Sequence, residues 1–338
     1  MEQLWKQNLR QIEPYVPGEQ SSDPDRIKLN ANENPYPPAP GVEAVLRSYD
    51  PAALCLYPDA NARLLKASIA RHYGVAPEQV FVGNGSDDVL ALAFQSFFNS
   101  DKPIAFPDIT YSFYPVWCRL FHIPFVTYPL TADFRIDPAD YAAPNGGVVL
   151  PNPNAPTSIG EDLPFVQALL EGNRDAVVII DEAYADFGGV SAVPLLADYP
   201  NLLVCGTFSK SRSLAGLRLG FAIGSAELIS VLEAVKNSYN SYTVDNLSLL
   251  CGAAAMDDEA YFAKTTAAVI TTRERVRRSL EQMGFSVLPS RTNFLFATKD
   301  GASMRERFLY LKQRHMYIRY FVLPRMDNYV RITIGTDA

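Results

Sequence analysis

The chain has 338 residues, 48% of them hydrophobic and 20% charged, enough for a large buried core in a soluble globular protein of two domains. A formal net charge of −7 and a pI near 5.1 argue against a nucleic-acid partner, which would call for a basic surface. Cys55, Cys118, Cys205 and Cys251 are scattered without CxxC spacing, and His72, His122 and His315 are isolated, so reduced, buried thiols and no metal site are expected.

Read from its start, MEQLWKQNLR holds no apolar run of the signal-sequence kind, and nowhere does an apolar stretch reach the ~18 residues of a membrane span. A cytoplasmic protein with no membrane partner is expected. The first forty residues, with PYVPGE and LNANENPYPP, read as an irregular arm rich in turns. A helical pattern follows at Arg63–Tyr73. Short apolar strands are then predicted at Val80–Val82, Ile104–Phe106, Phe125–Tyr128, Val148–Leu150, Val177–Ile180, Leu202–Cys205 and Phe221–Ile223. Helical patterns at Asp87–Phe98, Ser112–Phe121, Leu163–Glu171 and Glu227–Lys236 lie between them or follow the last. Several of these strands are apolar on both faces, as in a mostly parallel sheet covered by helices on each side, an α/β domain. From about Asp257 a long charged helix runs to Met283. Its Arg273, Arg275, Arg277 and Arg278 alternate with Glu274 and Glu281 and read as a solvated face. Strands at Phe285–Leu288, Asn293–Ala297, Tyr317–Tyr320 and Val330–Ile334, with a helix at Ala302–His315, complete a smaller α+β domain. The expected division is an arm over residues 1–40 joining the small domain, a large domain over 41–250 and a small domain over 251–338.

Ligands of open α/β sheets gather beyond the carboxyl ends of the strands, so the residues just after each strand carry the functional argument. After Val80–Val82 comes Gly83-Asn84-Gly85-Ser86-Asp87-Asp88. Such a helix opening presents backbone N–H groups to a phosphate, and a helix start with Ser86 as N-cap accounts for the same residues. After Ile104–Phe106 the segment ending in Tyr111 puts an aromatic ring at this edge, where a core or loop tyrosine is the plainer reading. After Val177–Ile180 come Asp181, Glu182, Ala183 and Tyr184. A carboxylate at the end of an apolar strand is costly without a cationic partner. That partner is either a salt-bridged or capped neighbour, or the pyridine nitrogen of pyridoxal phosphate, which a carboxylate keeps protonated. After Leu202–Cys205, Lys210 stands among Thr207, Ser209 and Ser211, eight residues before Arg218. The two cations make a surface pair or supply what this cofactor needs: an amine for its aldehyde, hydroxyls and a guanidinium for its phosphate. Four such elements after four strands are more specific than any one. Near the end, Arg331 alternates with Val330, Ile332 and Ile334, as a surface arginine on an edge strand or as an anion site.

TFSKSRSLAGLRLG resembles the lysine segment of the fold type I aminotransferases, and of the histidinol-phosphate aminotransferase family in particular. PYVPGE, LNANENPYPP, LYPDANARLLKASIA, VGNGSDDVL, PNPNAPTS, IIDEAYADF, YPNLLVCGTFSK and YVRITIGT extend the resemblance over nearly the whole chain. It implies the aspartate aminotransferase-like fold of pyridoxal-phosphate transferases and a homodimer with shared active sites. It implies a small-molecule amine or amino acid and a 2-oxo acid as substrates. Lys210 would be the Schiff-base lysine, Asp181 the partner of the pyridinium nitrogen, Tyr111 the ring stacked on the cofactor and Tyr184 the donor to its phenolic oxygen. Backbone groups of Ser86 and Asp87, with Thr207, Ser209 and Arg218, would hold its phosphate, and Tyr57 would reach the phosphate in the neighbouring subunit. Arg331 with Arg319 would hold the anionic end of the substrate, with Tyr15 and Asn32 closing over it.

Two departures stand out. Where the family commonly reads NPNNPTG, this chain has Asn152-Pro153-Asn154-Ala155-Pro156-Thr157-Ser158, so the usual cofactor asparagine falls on Ala155 and Asn154 is the substitute expected. The chain stops just after the arginine strand, where relatives usually continue into another helix, which suggests a trimmed C-terminus. Transamination of histidinol phosphate with 2-oxoglutarate is the activity implied. Aromatic amino-acid transamination and a lyase such as a threonine-phosphate decarboxylase share the cofactor residues. A dinucleotide-binding oxidoreductase is disfavoured, because the GNGSDD turn lacks GxGxxG spacing and leaves Lys210 without a role.

Overall fold

The computed structural model describes residues 4–16 and 18–337. The apolar runs of the first two thirds form one seven-stranded sheet. Ahead of it come a short strand β1 (Ile27–Lys28) and helices α1 (Pro40–Ser48) and α2 (Arg63–Tyr73). Its strands are β2 (Val80–Gly83), β3 (Ile104–Pro107), β4 (Phe125–Tyr128), β5 (Gly147–Pro151), β6 (Val178–Asp181), β7 (Leu202–Thr207) and β8 (Gly220–Gly224), in the order β2-β8-β7-β6-β5-β3-β4. Every residue of these strands is buried except in β4, which lies at the edge.

Alternation sorts the strand side chains into two cores. Val148, Leu150, Val178, Ile180, Leu202 and Val204 face one side, where α2, helix α5 (Leu163–Glu171) and helix α7 (Asn246–Asp257) contribute apolar residues. Val149, Ile179, Leu203 and Cys205 face the other, covered by α3 (Ser86–Phe97), α4 (Tyr114–Phe121) and α6 (Ala226–Tyr239). The β3–β4, β3–β5, β5–β6 and β6–β7 pairs are parallel, while β8 runs against both β7 and β2. The reason is the connection: residues 208–219 join β7 to β8 without an α-helical crossover, so the chain folds straight back. That returning loop carries both Lys210 and Arg218.

The C-terminal third opens with α8 (Glu259–Gln282) and builds an antiparallel sheet of β9 (Ser286–Val287), β10 (Phe294–Thr298), β12 (Arg319–Tyr320) and β13 (Val330–Thr333), in the order β12-β13-β10-β9. Helix α9 (Met304–Lys312) precedes strand β11 (Met316–Tyr317), which pairs in parallel with β1 of the arm. The Tyr317–Tyr320 strand expected from sequence is thus two short strands that belong to different sheets. Arg331 also departs from the edge-strand reading, since β13 lies between β12 and β10.

Three further expectations are corrected. Helices α1 and α7, which pack on one another, were not expected from sequence; α7 shows no helical stripe because it is buried on most of its circumference. Arg273 is not on a solvated face: it is buried and its Nη1 donates to the carbonyls of Phe187 and Thr292, both at 2.8 Å, tying α8 to two loops. Arg277 does sit on that face, paired with Glu274 and Glu281. Cys55 is exposed, whereas the other three thiols are buried, and all four are free.

Candidate active site

Two open chambers, of ≈ 300 and ≈ 290 Å³, meet at the carboxyl ends of β6 and β7. Both are lined by Tyr111, Tyr184 and Lys210. The first also takes in Ser86, Asp87, Asp181, Thr207, Ser209 and Arg218. The second takes in Tyr15, Asn32, Arg319 and Arg331. Residues from six separate stretches of sequence converge because each follows, or lies on, a strand ending at this edge or belongs to the arm that crosses it.

Asp181 closes β6 and is buried. Tyr114 Oη donates to its Oδ2 at 2.8 Å and the Ala183 N–H to its Oδ1 at 3.1 Å. Loss of water pushes its carboxyl up to about 6, against the pull of those two donors and of the more distant Lys210 ammonium. Lys210 Nζ reaches only the Ala31 carbonyl, at 3.4 Å, and lies 5.8 Å from the centroid of the Tyr184 ring. Among the described residues it has no carboxylate partner at ion-pair distance. Its loop is held from outside the cleft: Asn34 Nδ2 donates to the carbonyls of Lys210 and Ser211, and Ser211 Oγ donates to Asp186. Tyr184 Oη accepts from Asn32 Nδ2 at 2.9 Å, which leaves its own proton free to point into the cleft. Asn32 is itself fixed, its Oδ1 accepting from Thr333 Oγ1 on β13.

The phosphate end is built at the start of α3. Gly85, not Ser86, is the N-cap, and no side chain caps the helix, so the N-cap expectation for Ser86 gives way to an open N-terminus. The backbone is packed tightly there. A Cβ at Gly220 would lie 2.3 Å from the Ser86 nitrogen, and one at Gly85 (φ +89) would lie 2.7 Å from Arg218 Nη2. Arg218, in the left-handed region at φ 53, donates to Asp87 Oδ2 at 3.1 Å, and Tyr111 Oη donates to the other oxygen, Oδ1, at 2.7 Å. An uncapped helix start that excludes any Cβ, a guanidinium and two hydroxyls form a donor set for a phosphate. A buried carboxylate, a free amine and an aromatic ring share the same chamber. This set fits pyridoxal phosphate.

In the second chamber Arg319 and Arg331 are direct cross-strand partners on β12 and β13. Like charges placed opposite one another on a sheet repel. Arg331 is half-buried, its Nη2 donates to the Asn30 carbonyl at 3.1 Å, and its buried Nε has no partner among the described residues. Burial and the neighbouring Arg319 lower its pKa. Neither arginine has a carboxylate at ion-pair distance among the described residues. Tyr15 stacks on Phe113 with ring centroids 4.2 Å apart and covers this chamber from the arm.

Two sequence-predicted residues are not brought to the cleft within one chain. Asn154 is turned away: its Nδ2 donates to the Ile109 carbonyl and to Thr157 Oγ1, and Ala155 lines the chambers in its place. Asn154, the substitute expected for the missing asparagine, thus lies outside both chambers, its Nδ2 engaged by Ile109 and Thr157. Tyr57 lies on the surface, 82% exposed and stacked on Tyr242. Tyr114 was missed as a site residue because it reads as one more apolar residue of α4, and Asn34 because its partners are backbone carbonyls far off in sequence.

A lysine on the loop after β7 and a carboxylate at the end of β6, in one cleft, define an enzyme that handles amino groups through a carbonyl cofactor. The profile of the family described as "Aminotransferase class I and II" matches residues 24–338, and the chain belongs to that family. It is 52% identical to histidinol-phosphate aminotransferase 2 of Dechloromonas aromatica over 100% of this chain and 96% of that protein. It is 53% identical to histidinol-phosphate aminotransferase 1 of Methylococcus capsulatus over 100% and 95%. Among solved structures, the histidinol-phosphate aminotransferase of Sinorhizobium meliloti in complex with pyridoxal-5'-phosphate is similar at a TM-score of 0.81 and 25% identity. That match covers 91% of this chain and 86% of the other.

Proposed function

We propose that this aminotransferase moves the amino group of histidinol phosphate to 2-oxoglutarate, working in the cytoplasm as a homodimer with pyridoxal phosphate on Lys210. The observation that carries the substrate is the facing pair Arg319 and Arg331. Two guanidiniums exceed what a lone carboxylate requires, and a phosphate dianion relieves their repulsion while giving the unpaired Arg331 Nε an acceptor. The same pair takes the carboxylate of the amino acceptor.

When bound, pyridoxal phosphate supplies an aldehyde that takes up amino groups and a ring that accepts the electron pair left when a carbon–hydrogen bond is broken. The roles of the chain's own groups follow from their surroundings. Backbone N–H groups of Ser86 and Asp87, with Thr207, Ser209 and Arg218, hold the phosphate. Asp181 holds a positive charge at the inner end of the chamber. Tyr184 offers its free phenol proton to an oxygen beside Lys210. Lys210 Nζ, free of carboxylates, takes the proton from the amino-bearing carbon of the substrate in its neutral form and returns it on the other side of the transfer. Tyr15 and Phe113 exclude water from the arginine end. Tyr57 serves the neighbouring subunit. The arm, the seven-stranded sheet with its helices, and the C-terminal sheet are read as the three units proposed from sequence, with the boundaries given there.

The test is a half-reaction screen. The holoenzyme is mixed with histidinol phosphate, histidinol, phenylalanine, tyrosine and threonine phosphate, and the visible absorbance of the cofactor is followed. Rapid loss with histidinol phosphate alone is expected, without release of carbon dioxide. Efficient reaction with phenylalanine or tyrosine and none with histidinol phosphate would replace the substrate. Carbon dioxide from threonine phosphate would replace the reaction. Borohydride reduction is expected to fix the cofactor on the peptide containing Lys210.

A further inference from the structure

Among the described residues Asp181 is the one carboxylate that both lines the first chamber and is buried, and its surroundings oppose its charge. Asp87 on α3 adds a like charge, Cys205 on β7 and Glu182 beside it offer no cation, and Lys210 acts only from a distance. Two donors act on it directly. One is the Ala183 N–H, fixed by the backbone. The other is the phenol of Tyr114, the first residue of α4, which is fully buried and donates at 2.8 Å. The Tyr114 ring has no freedom to turn away: it packs among Phe94, Phe106, Trp117 and Tyr111. Its contact with Tyr111 is edge-on, at 83° and 5.7 Å between centroids. One buried side chain therefore touches both the carboxylate and the ring assigned to the cofactor.

We propose that Tyr114 is a positioning residue for the cofactor ring, its phenol keeping the Asp181 carboxylate ionised and in one orientation while its own ring braces Tyr111. The inference rests on the pyridoxal-phosphate reading given above. A phenol beside a carboxylate favours the ionised form, because it can give a proton to the bond and the carboxylate cannot. A pyridinium needs that ionised form as its partner. Nothing else among the described residues replaces the donor, since Asp181 Oδ1 already takes the Ala183 N–H.

Tyr114→Phe removes one oxygen and keeps the ring, so the packing is retained. Retention of pyridoxal phosphate by the holoenzyme is measured by its visible absorbance on dilution, from about pH 8 to about pH 6, for wild type, Tyr114→Phe, Asp181→Asn and the double variant. The single Tyr114→Phe change is expected to weaken retention about tenfold or more at neutral pH, the range of a hydrogen bond to a charged group. The deficit should widen as the pH falls, because the unassisted carboxylate takes up its proton at higher pH. In the Asp181→Asn background the same change should cost nothing further. Wild-type retention in Tyr114→Phe, or an equal loss with and without Asp181, would overturn the assignment. A wild type that holds no pyridoxal phosphate, or holds it on a lysine other than Lys210, would instead overturn the cofactor reading and this inference with it.

Discussion

At the scale of single residues, this edge of the sheet carries two adjacent buried acids in different states. Asp181 faces the cleft, where the pyridinium proposed above would compensate its charge. Glu182 points the other way, accepts the Ala192 N–H and has no cation to compensate it among the described residues, so burial pushes its carboxyl up to about 8. An acid whose pKa is higher in the folded than in the unfolded chain holds more protons when folded. Its stabilising contribution is full below the unfolded value of about 4.5 and is lost as the pH rises through about 8. Glu182→Gln keeps an acceptor for Ala192 and has no proton to lose. Thermal unfolding between about pH 5 and about pH 9 is expected to show the variant gaining on wild type as pH rises, by on the order of 2 kcal/mol at the alkaline end. A difference that stays constant over that range would mean that Glu182 does not ionise there. Glu182 was legible in sequence only as the neighbour of Asp181. Which of two consecutive acids faces the ligand depends on strand alternation at the last residue of β6, and a register error of one would exchange them.

At the scale of elements, the strands were readable because a parallel sheet buried on both faces leaves short runs of Val, Ile and Leu. The residues after those runs came with them: Ser86, Asp87, Tyr111, Asp181, Tyr184 and Lys210 all line the first chamber. What sequence did not carry was anything decided by long-range partners. Helix α7 has no polar stripe to betray its period. Tyr317–Tyr320 reads as one strand but is shared between two sheets, since β11 is claimed by the arm and β12 by β13. That split is what sets Arg319 directly across from Arg331. The pairing has a measurable consequence. Arg331→Ala should lower kcat/KM for histidinol phosphate by about 1.5–3 kcal/mol, the worth of a charge-assisted hydrogen bond, mainly through KM. Retention of pyridoxal phosphate should be unchanged, because Arg331 lines only the second chamber. Histidinol, which lacks the phosphate, should be a poor substrate for wild type and little worse for the variant. An equal loss on both amines in steady-state assays would show that Arg331 acts on the fold rather than on the phosphate.

At the scale of the whole molecule, the single chain assembles every proposed cofactor group except Tyr57 and Asn154. Asn154 is held away from the chambers by the donations of its Nδ2 to Ile109 and Thr157. Tyr57 belongs to an apolar surface: Leu54, Leu56, Tyr57, Tyr239 and Tyr242 are all exposed large hydrophobics, drawn from two stretches of chain brought together by the Tyr57–Tyr242 stack. A large exposed apolar cluster marks an interface, and a twofold dimer would place each copy's Tyr57 against the other copy. The arrangement can be tested by complementation. Lys210→Ala removes the amine from a subunit's own site, and Tyr57→Ala removes the contact it lends to its partner, so each homodimer should be inactive or strongly impaired. In a mixed dimer, one site would suffer both losses and the other neither, because the Tyr57→Ala subunit keeps its Lys210 and receives Tyr57 from the Lys210→Ala subunit. Random reassortment of equal amounts makes half the dimers mixed, each with one intact site, so activity should recover to about a quarter of the wild-type sites. If Tyr57 served its own subunit, both sites of the mixed dimer would carry one lesion, and mixing would restore nothing.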